Sequence, residues 1–198
     1  MNSIHKAVVC LPVMGMMGCS AAPPAPASQA DPNKSEVATT RAPSPSQARL
    51  TPIDLVPGRL RNAYQSKSDR GVVNYARTEA GWTISLVAPP SADPNRGEWA
   101  GFCWDIAPVD GTAFGKLRID LAQVDKGAEV EVKLERQSND IQEAKLEFLK
   151  QGTLRIDLTT FQRVRAEVAR LCIMAIGQPT AKAPTETTFV FTGASLEP

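Results

Sequence analysis

The chain has 198 residues, and its 22 lysines and arginines nearly balance its 21 aspartates and glutamates, which gives a formal net charge of +1. This balance provides no basic field for nucleic acid phosphates, so we expect no nucleic-acid partner. The single histidine is His5. The rest of the chain therefore cannot form a Ser-His-Asp triad, a Cys-His pair or a histidine-ligated metal site.

Residues 1–18 have the pattern of a signal peptide. Lys6 precedes an apolar run over 7–17, which is roughly 11 residues long and too short for the about 20 residues of a membrane-spanning helix. The small residue before Cys19 resembles the lipobox of bacterial lipoproteins, in which cleavage occurs before the cysteine and its sulfur then carries lipid. The resemblance implies that Cys19 carries diacylglycerol and acyl chains such as palmitate, and that Ser20 directs the protein to the outer membrane. The alternative is an ordinary secretory signal with an incidental cysteine.

Residues 19–49 are rich in proline, alanine and serine. Eight of the chain's 16 prolines fall between Pro23 and Pro57, and no aromatic residue occurs before Tyr64. Such a segment cannot bury enough apolar area to offset the entropy lost on ordering, so it predicts a disordered tether to a domain at 50–198. A proline-rich docking site is the alternative.

The positions of the four cysteines assign them to different parts of the chain. Cys10 lies in the predicted signal peptide and Cys19 at the predicted lipidation site, which leaves Cys103 and Cys172 as an even pair in an oxidising compartment. We predict a disulfide between these two residues. Two separately buried thiols are the alternative.

Alternation of apolar and polar residues predicts strands throughout the domain. In AEVEVKLE, for example, Val130, Val132 and Leu134 share one face. In chain order, the predicted strands are GVVNYAR, GWTISLVA, EWAGFCWDI, GKLRIDL, AEVEVKLE, AKLEFL, GTLRIDL, ARLCIMAI and TTFVFTGASL. The segment IQEAKLEFLK also fits a helix, but its alternating Leu146 and Phe148 favour a strand. Roughly nine short strands separated by turns predict an all-β fold, an antiparallel β-sandwich or jelly roll.

The succession EWAGFCWDI, FGKLRIDL, AEVEVKLE, LKQGTLRIDLTTF and TTFVFTGASL resembles the galactose-binding-like β-sandwich of carbohydrate-binding modules. In that pattern a strand ending in Leu158 and Phe161 precedes a closing strand, which here spans residues 188–196. The resemblance implies a jelly roll that binds sugars or docks proteins. Families of this type often have aspartate where this chain has Thr192 to Ser195, which weakens any calcium site implied by the resemblance.

The segment GEWAGFCWDI contains two of the chain's three tryptophans. Strand alternation divides its side chains between two faces. One face is uniformly apolar, is expected in the core, and consists of Ala100, Phe102, Trp104 and Ile106. The other consists of Trp99, Gly101, Cys103 and Asp105.

Sugars are held by aromatic rings against their C–H surfaces and by polar side chains at the rim. Trp99 with Asp105 is therefore the predicted ligand-binding pair, and Tyr75, Arg77 and Asn74 are candidate neighbours. An equally good interpretation makes Trp99 a strand-edge residue that covers the disulfide.

We find no GxGxxG, phosphate-loop or GxSxG motif, and the strand carboxylates alternate with lysine and arginine as on a solvated face. We therefore predict no catalytic residue, metal site or cofactor. The leading hypothesis is a lipid-anchored envelope protein whose non-catalytic β-sandwich binds a glycan. The alternative is a structural or assembly lipoprotein that docks another envelope protein.

Overall fold

The structure is a computed structural model that describes residues 50–93 and 97–198. These residues belong to one unit, Gln47–Pro198. The predicted signal peptide, Cys19 and the tether lie outside the described residues. Within the described ranges, no helix is long and apolar enough to cross a membrane.

Strands and one 3₁₀ turn, Leu158–Thr160, make up the regular structure of the described chain. The strands are β1 (Ile53–Val56), β2 (Leu60–Lys67), β3 (Val72–Thr78), β4 (Gly81–Ala88), β5 (Glu98–Val109), β6 (Lys116–Lys126), β7 (Glu129–Glu135), β8 (Gln142–Phe148), β9 (Gly152–Asp157), β10 (Val168–Gly177) and β11 (Thr185–Glu197). All nine predicted strands are present, and the ambiguous segment IQEAKLEFLK forms strand β8.

Two antiparallel sheets form a sandwich, which confirms the predicted fold class. A six-stranded sheet has the order β3-β4-β11-β6-β9, and β1 pairs with β11 beside this path. The second sheet is five-stranded and has the order β2-β5-β10-β7-β8. Strand β11 is long enough to pair with β4 over its first half and with β1 near its end, while β6 follows it on the other side.

The apolar faces of the two sheets pack against each other and form the main core. Ala100, Phe102, Trp104 and Ile106 of β5 are all buried there, so the predicted inward face of this strand is confirmed. Trp104 stacks on Phe191 of the opposite sheet with ring centroids 4.1 Å apart. Burial of each large apolar side chain stabilises the fold by about 1.5–3 kcal/mol, and these contacts hold β5 in place between β2 and β10.

The predicted disulfide is also present. Cys103 and Cys172 are bonded to each other and lie directly opposite in the β5–β10 ladder. Because they alternate with the core residues of β5 and β10, they lie on the side of the five-stranded sheet that faces away from the main core.

Candidate functional site

The side of the five-stranded sheet that faces away from the main core, called the outer face below, presents its side chains in cross-strand rows. Such rows form because residues paired across neighbouring strands point to the same side. From β2 to β8, one row is Ser66, Gly101, Met174, Glu131 and Leu146; the next is Tyr64, Cys103, Cys172, Lys133 and Ala144; a third is Asn62, Asp105, Arg170, Glu135 and Gln142. The outer face therefore combines apolar, charged and amide groups.

A groove of about 490 Å³ lies on this face beside Trp99. This volume falls in the range of pockets that hold small ligands. Trp99 and Ile176 are paired at one end of it. The other residues on which the site depends are Met174, Glu131, Lys133 and Gln142.

Trp99 is 36 % exposed, and its backbone is fixed by the turn after β2. Its carbonyl accepts a hydrogen bond from the Ser68 N–H at 3.0 Å, and its own N–H donates to Ser68 Oγ at 3.1 Å. The Ser68 hydroxyl in turn donates to Glu98 Oε2 at 2.5 Å. Gly71 lies so close that a Cβ there would be 2.0 Å from the Trp99 carbonyl oxygen. The indole is thus carried by a backbone with little freedom.

The floor of the groove depends on the missing side chain at Gly101. A Cβ at this position would lie 2.7 Å from Cγ of Met174, which is paired with Gly101 across the β5–β10 ladder. Because Gly101 leaves this space open, Met174 packs down against the sheet and is buried. The result is an apolar depression next to the Trp99 ring.

The far wall of the groove carries polar groups with unused hydrogen-bonding capacity. The Lys133 ammonium contacts Glu135 at 2.8 Å and donates to Gln142 Oε1 at 3.2 Å. Within the described chain, this leaves the amide N–H donors of Gln142 without a partner, and the carboxylate of Glu131 has neither a hydrogen bond nor an ion pair. The groove therefore offers a free acceptor group on Glu131 and free donor groups on Gln142.

Asp105 lies on the outer face as predicted, but its carboxylate is held by Arg170. Arg170 Nε is 2.5 Å from Asp105 Oδ1, and Nη1 is 2.7 Å from Glu135 Oε2. The guanidinium also lies 5.5 Å from the centre of the Tyr64 ring. Asp105 follows Trp99 by six positions of extended strand, a distance of about 20 Å at about 3.3 Å per residue, so the two residues occupy different ends of this face.

The charges around Arg170 stabilise one another. Burial alone raises the pKa of Glu135, but hydrogen bonds and charge from Lys133 and Arg170 outweigh it and hold that pKa below its ordinary value. Burial alone lowers the pKa of Arg170, and its hydrogen bonds to Asp105 and Glu135 reverse this and raise it. Glu135 and Arg170 are therefore both charged at neutral pH, and their contacts link β5, β10 and β7.

The three candidate neighbours lie on β3, in the six-stranded sheet. Tyr75 is 48 % exposed, and its ring packs against Phe102, with centroids 4.7 Å apart. The Arg77 guanidinium lies 5.3 Å from the centre of the Trp82 ring, and Asn74 points to the side of β3 opposite Tyr75. The structure does not bring these three residues to the face that carries Trp99.

The sequence predictions did not single out Met174, Glu131, Lys133 or Gln142 as groove residues. Alternation in β7 places Glu131 and Lys133 on the solvent side, but this signal is shared by every charged strand position. Only the pairing of β7 between β10 and β8 brings them to the groove. Among the described residues, no group of three or more histidine, cysteine, aspartate or glutamate side chains is placed to hold a metal ion.

No protein-family model and no curated protein sequence matches this chain. Among solved structures, it is similar to a family 11 carbohydrate-binding module from Clostridium thermocellum in complex with a beta-1,3-1,4-mixed-linked tetrasaccharide. That similarity has 8 % identity and a TM-score of 0.49, and it covers 74 % of this chain and 95 % of that one. It is also similar to the family 11 module of the cellulosomal cellulase Lic26A-Cel5E of Clostridium thermocellum, with 10 % identity, a TM-score of 0.47, and 73 % and 91 % of the two chains covered. At identities this low the similarity concerns the fold, and function must follow from the side chains of the groove.

Proposed function

We propose that this protein is a lipid-anchored, non-catalytic carbohydrate-binding protein of the bacterial cell envelope, and that it binds a glycan in the groove beside Trp99. One observation supports glycan binding in this groove most directly. A partly exposed tryptophan on a fixed backbone borders an apolar depression whose far wall holds a free acceptor and a free donor.

These groups match the two kinds of surface that a sugar ring presents. The C–H face of a pyranose is apolar and packs against an aromatic ring, while its hydroxyl groups both donate and accept hydrogen bonds. In the groove, the Trp99 ring takes the apolar face. Glu131 accepts from a hydroxyl group and the Gln142 amide donates to another. Because these polar groups are otherwise hydrated, a ligand that replaces their water satisfies them again.

The carboxylates of the groove favour binding over hydrolysis. Glycoside hydrolysis generally uses a pair of carboxyl groups that flank the scissile bond. Glu143 instead accepts hydrogen bonds from the N–H groups of Arg163 and Val164, and Glu98 accepts from Ser68. Glu131 is left as a single unpartnered carboxylate among the described groove residues, which suits a hydroxyl acceptor better than an acid–base pair.

The proposed anchor and location depend on the N-terminal sequence. Acyl chains on Cys19 hold the chain to a membrane because each buried CH₂ contributes about 0.8 kcal/mol, and the segment 19–49 separates the sandwich from the bilayer. Cys19→Ser is expected to abolish incorporation of radiolabelled palmitate. Palmitate labelling that survives this substitution contradicts the assignment of Cys19.

Affinity electrophoresis tests glycan binding. The soluble chain 20–198 is run through native gels that contain neutral β-glucans (the mixed-linked form included), chitin derivatives or solubilised peptidoglycan. We expect one class of polysaccharide to retard the wild-type chain and to have no effect on Gly101→Leu, whose side chain occupies the groove and displaces Met174. Mobility that no polysaccharide changes, on gels or on glycan arrays, contradicts the proposal.

Docking of another envelope protein is the second candidate function, and a separate observation favours it. Leu146 and Phe148 are 52 % and 60 % exposed on β8, an edge strand of the same sheet. Large apolar side chains on an exposed edge are typical of protein-binding surfaces. Under this alternative, a Leu146→Ser/Phe148→Ser variant loses a stoichiometric partner in pull-downs, and Trp99→Ala retains it.

A further inference from the structure

The outer face has a small apolar cluster of its own, separate from the main core. Its buried members are Cys103, Cys172 and Met174, and Tyr64 and Ile176 pack against them. The main core lies between the two sheets and has no side chain in common with this cluster. The disulfide therefore belongs to the outer layer of the five-stranded sheet rather than to the interface between the sheets.

Two members of this outer cluster form the floor of the groove. Met174 and Ile176 line the groove and follow Cys172 on the same face of β10. Ile176 is paired with Trp99, and Met174 is paired with Gly101, two residues before Cys103 on β5. The covalent bond therefore joins the two strands that supply the floor and the aromatic ring.

We infer that the Cys103–Cys172 disulfide is a positioning pair for the groove, which holds Met174, Ile176 and Trp99 in the arrangement that receives a ligand. The inference rests on the proposed function, since it assigns the bond a role at the same site. On their inner faces, β5 and β10 are held by the packed core of the sandwich. On the outer face a single layer of side chains covers them, and one member is the flexible side chain of Met174.

The disulfide gives this layer a fixed base, so the floor does not have to be ordered when the ligand binds. Ordering a flexible side chain on binding lowers the affinity, because its conformational freedom is lost. Loss of the bond frees Met174 and Ile176, which pack beside the Trp99 ring. We expect glycan affinity to fall about tenfold, as ordering one or two side chains predicts. Reduction of the bond has the same effect, which makes glycan binding sensitive to thiol reagents.

The test compares the full chain in three forms: wild type, Cys103→Ala/Cys172→Ala and Ile119→Ala. Ile119 is buried in the main core, so its truncation lowers global stability and leaves the outer face unchanged. The affinity for the polysaccharide that retards the wild type is measured by titration calorimetry below the unfolding temperature of all forms. We expect the cysteine variant to lose about tenfold in affinity and Ile119→Ala to keep wild-type affinity. Equal affinities for all three forms, or equal losses in both variants, overturn the inference.

Amide hydrogen exchange provides a readout that does not depend on a glycan. Removal of the disulfide is expected to speed exchange at Gly101, Met174 and Ile176, while Leu121 in β6 keeps its protection. Acceleration that is uniform across both sheets contradicts a local role. If the alanine pair does not fold, Cys103→Val/Cys172→Val takes its place, because valine keeps apolar volume and favours strands. Unchanged exchange in that variant overturns the inference, and absence of any glycan binding alongside faster local exchange refutes only the proposed function.

Discussion

Replacement of Trp99 by alanine is expected to weaken glycan binding about 30-fold while the sandwich stays folded. Trp99 is 36 % exposed, and a tryptophan presents up to about 250 Å², so a bound sugar can cover about 90 Å² of it. At about 25 cal/mol per Å², that area is worth about 2 kcal/mol, and 1.4 kcal/mol corresponds to about a factor of ten in Kd.

Titration calorimetry of the soluble chain with the retarding polysaccharide measures this change. Tyr75→Ala is the control, because Tyr75 is also a partly exposed aromatic residue but lies in the other sheet. Its truncation removes a contact with Phe102 and lowers stability, and we expect its glycan affinity to equal that of the wild type. Unchanged affinity in Trp99→Ala, or an equal loss in Tyr75→Ala, refutes the assignment of the platform to Trp99.

Three further predictions concern stability. Replacement of both Cys103 and Cys172 by alanine opens a loop with a sequence separation of 69 residues, which the chain-entropy model values at about 4 kcal/mol; an unchanged urea midpoint contradicts this. The pKa of Glu135 is held below its ordinary value of 4.5 by neighbouring cations, against the effect of burial. Ionised Glu135 therefore stabilises the fold fully above pH 4.5, and this stabilisation is lost as the pH falls through the lower pKa of the folded state. Glu135→Gln is therefore expected to be less stable at neutral pH and to lose less stability on acidification, and equal pH dependence of the urea midpoints argues against this. Trp104→Ala is expected to cost about 3–5 kcal/mol in the free energy of unfolding, and a loss within error of zero contradicts the central packing of that ring.

Alternation along the chain was enough to predict most of the sandwich. Leu146 and Phe148 point to one side of β8 and are both exposed, so the period of two was the correct interpretation of a segment that also fits a helix. Strands β1 and β2 were missed because β1 is short and β2, at the edge of its sheet, has largely polar, partly exposed residues. An edge strand is stabilised by backbone pairing with a neighbour, so its own residues show little of the apolar–polar alternation that predicts a strand.

The site could be predicted only in part, because alternation decides the face of a residue but not its sheet. It placed Trp104 inside and Trp99 outside, and the structure agrees. It could not place Tyr75 in the opposite sheet, nor bring Glu131 to the groove, since both depend on which strands pair. The partner of Asp105 is Arg170, 65 residues away, and no local pattern indicates a contact at that distance along the chain.

The most direct test of glycan binding at the outer face is a ¹⁵N NMR titration of the soluble chain with an oligosaccharide of the retarding class. We expect shift changes at the amides of Trp99, Gly101, Met174 and Glu131 and at the indole N–H of Trp99, with the amides of β3 and β4 unmoved. Shift changes centred on β3 and β4, or spectra that stay unchanged at saturating oligosaccharide, contradict it.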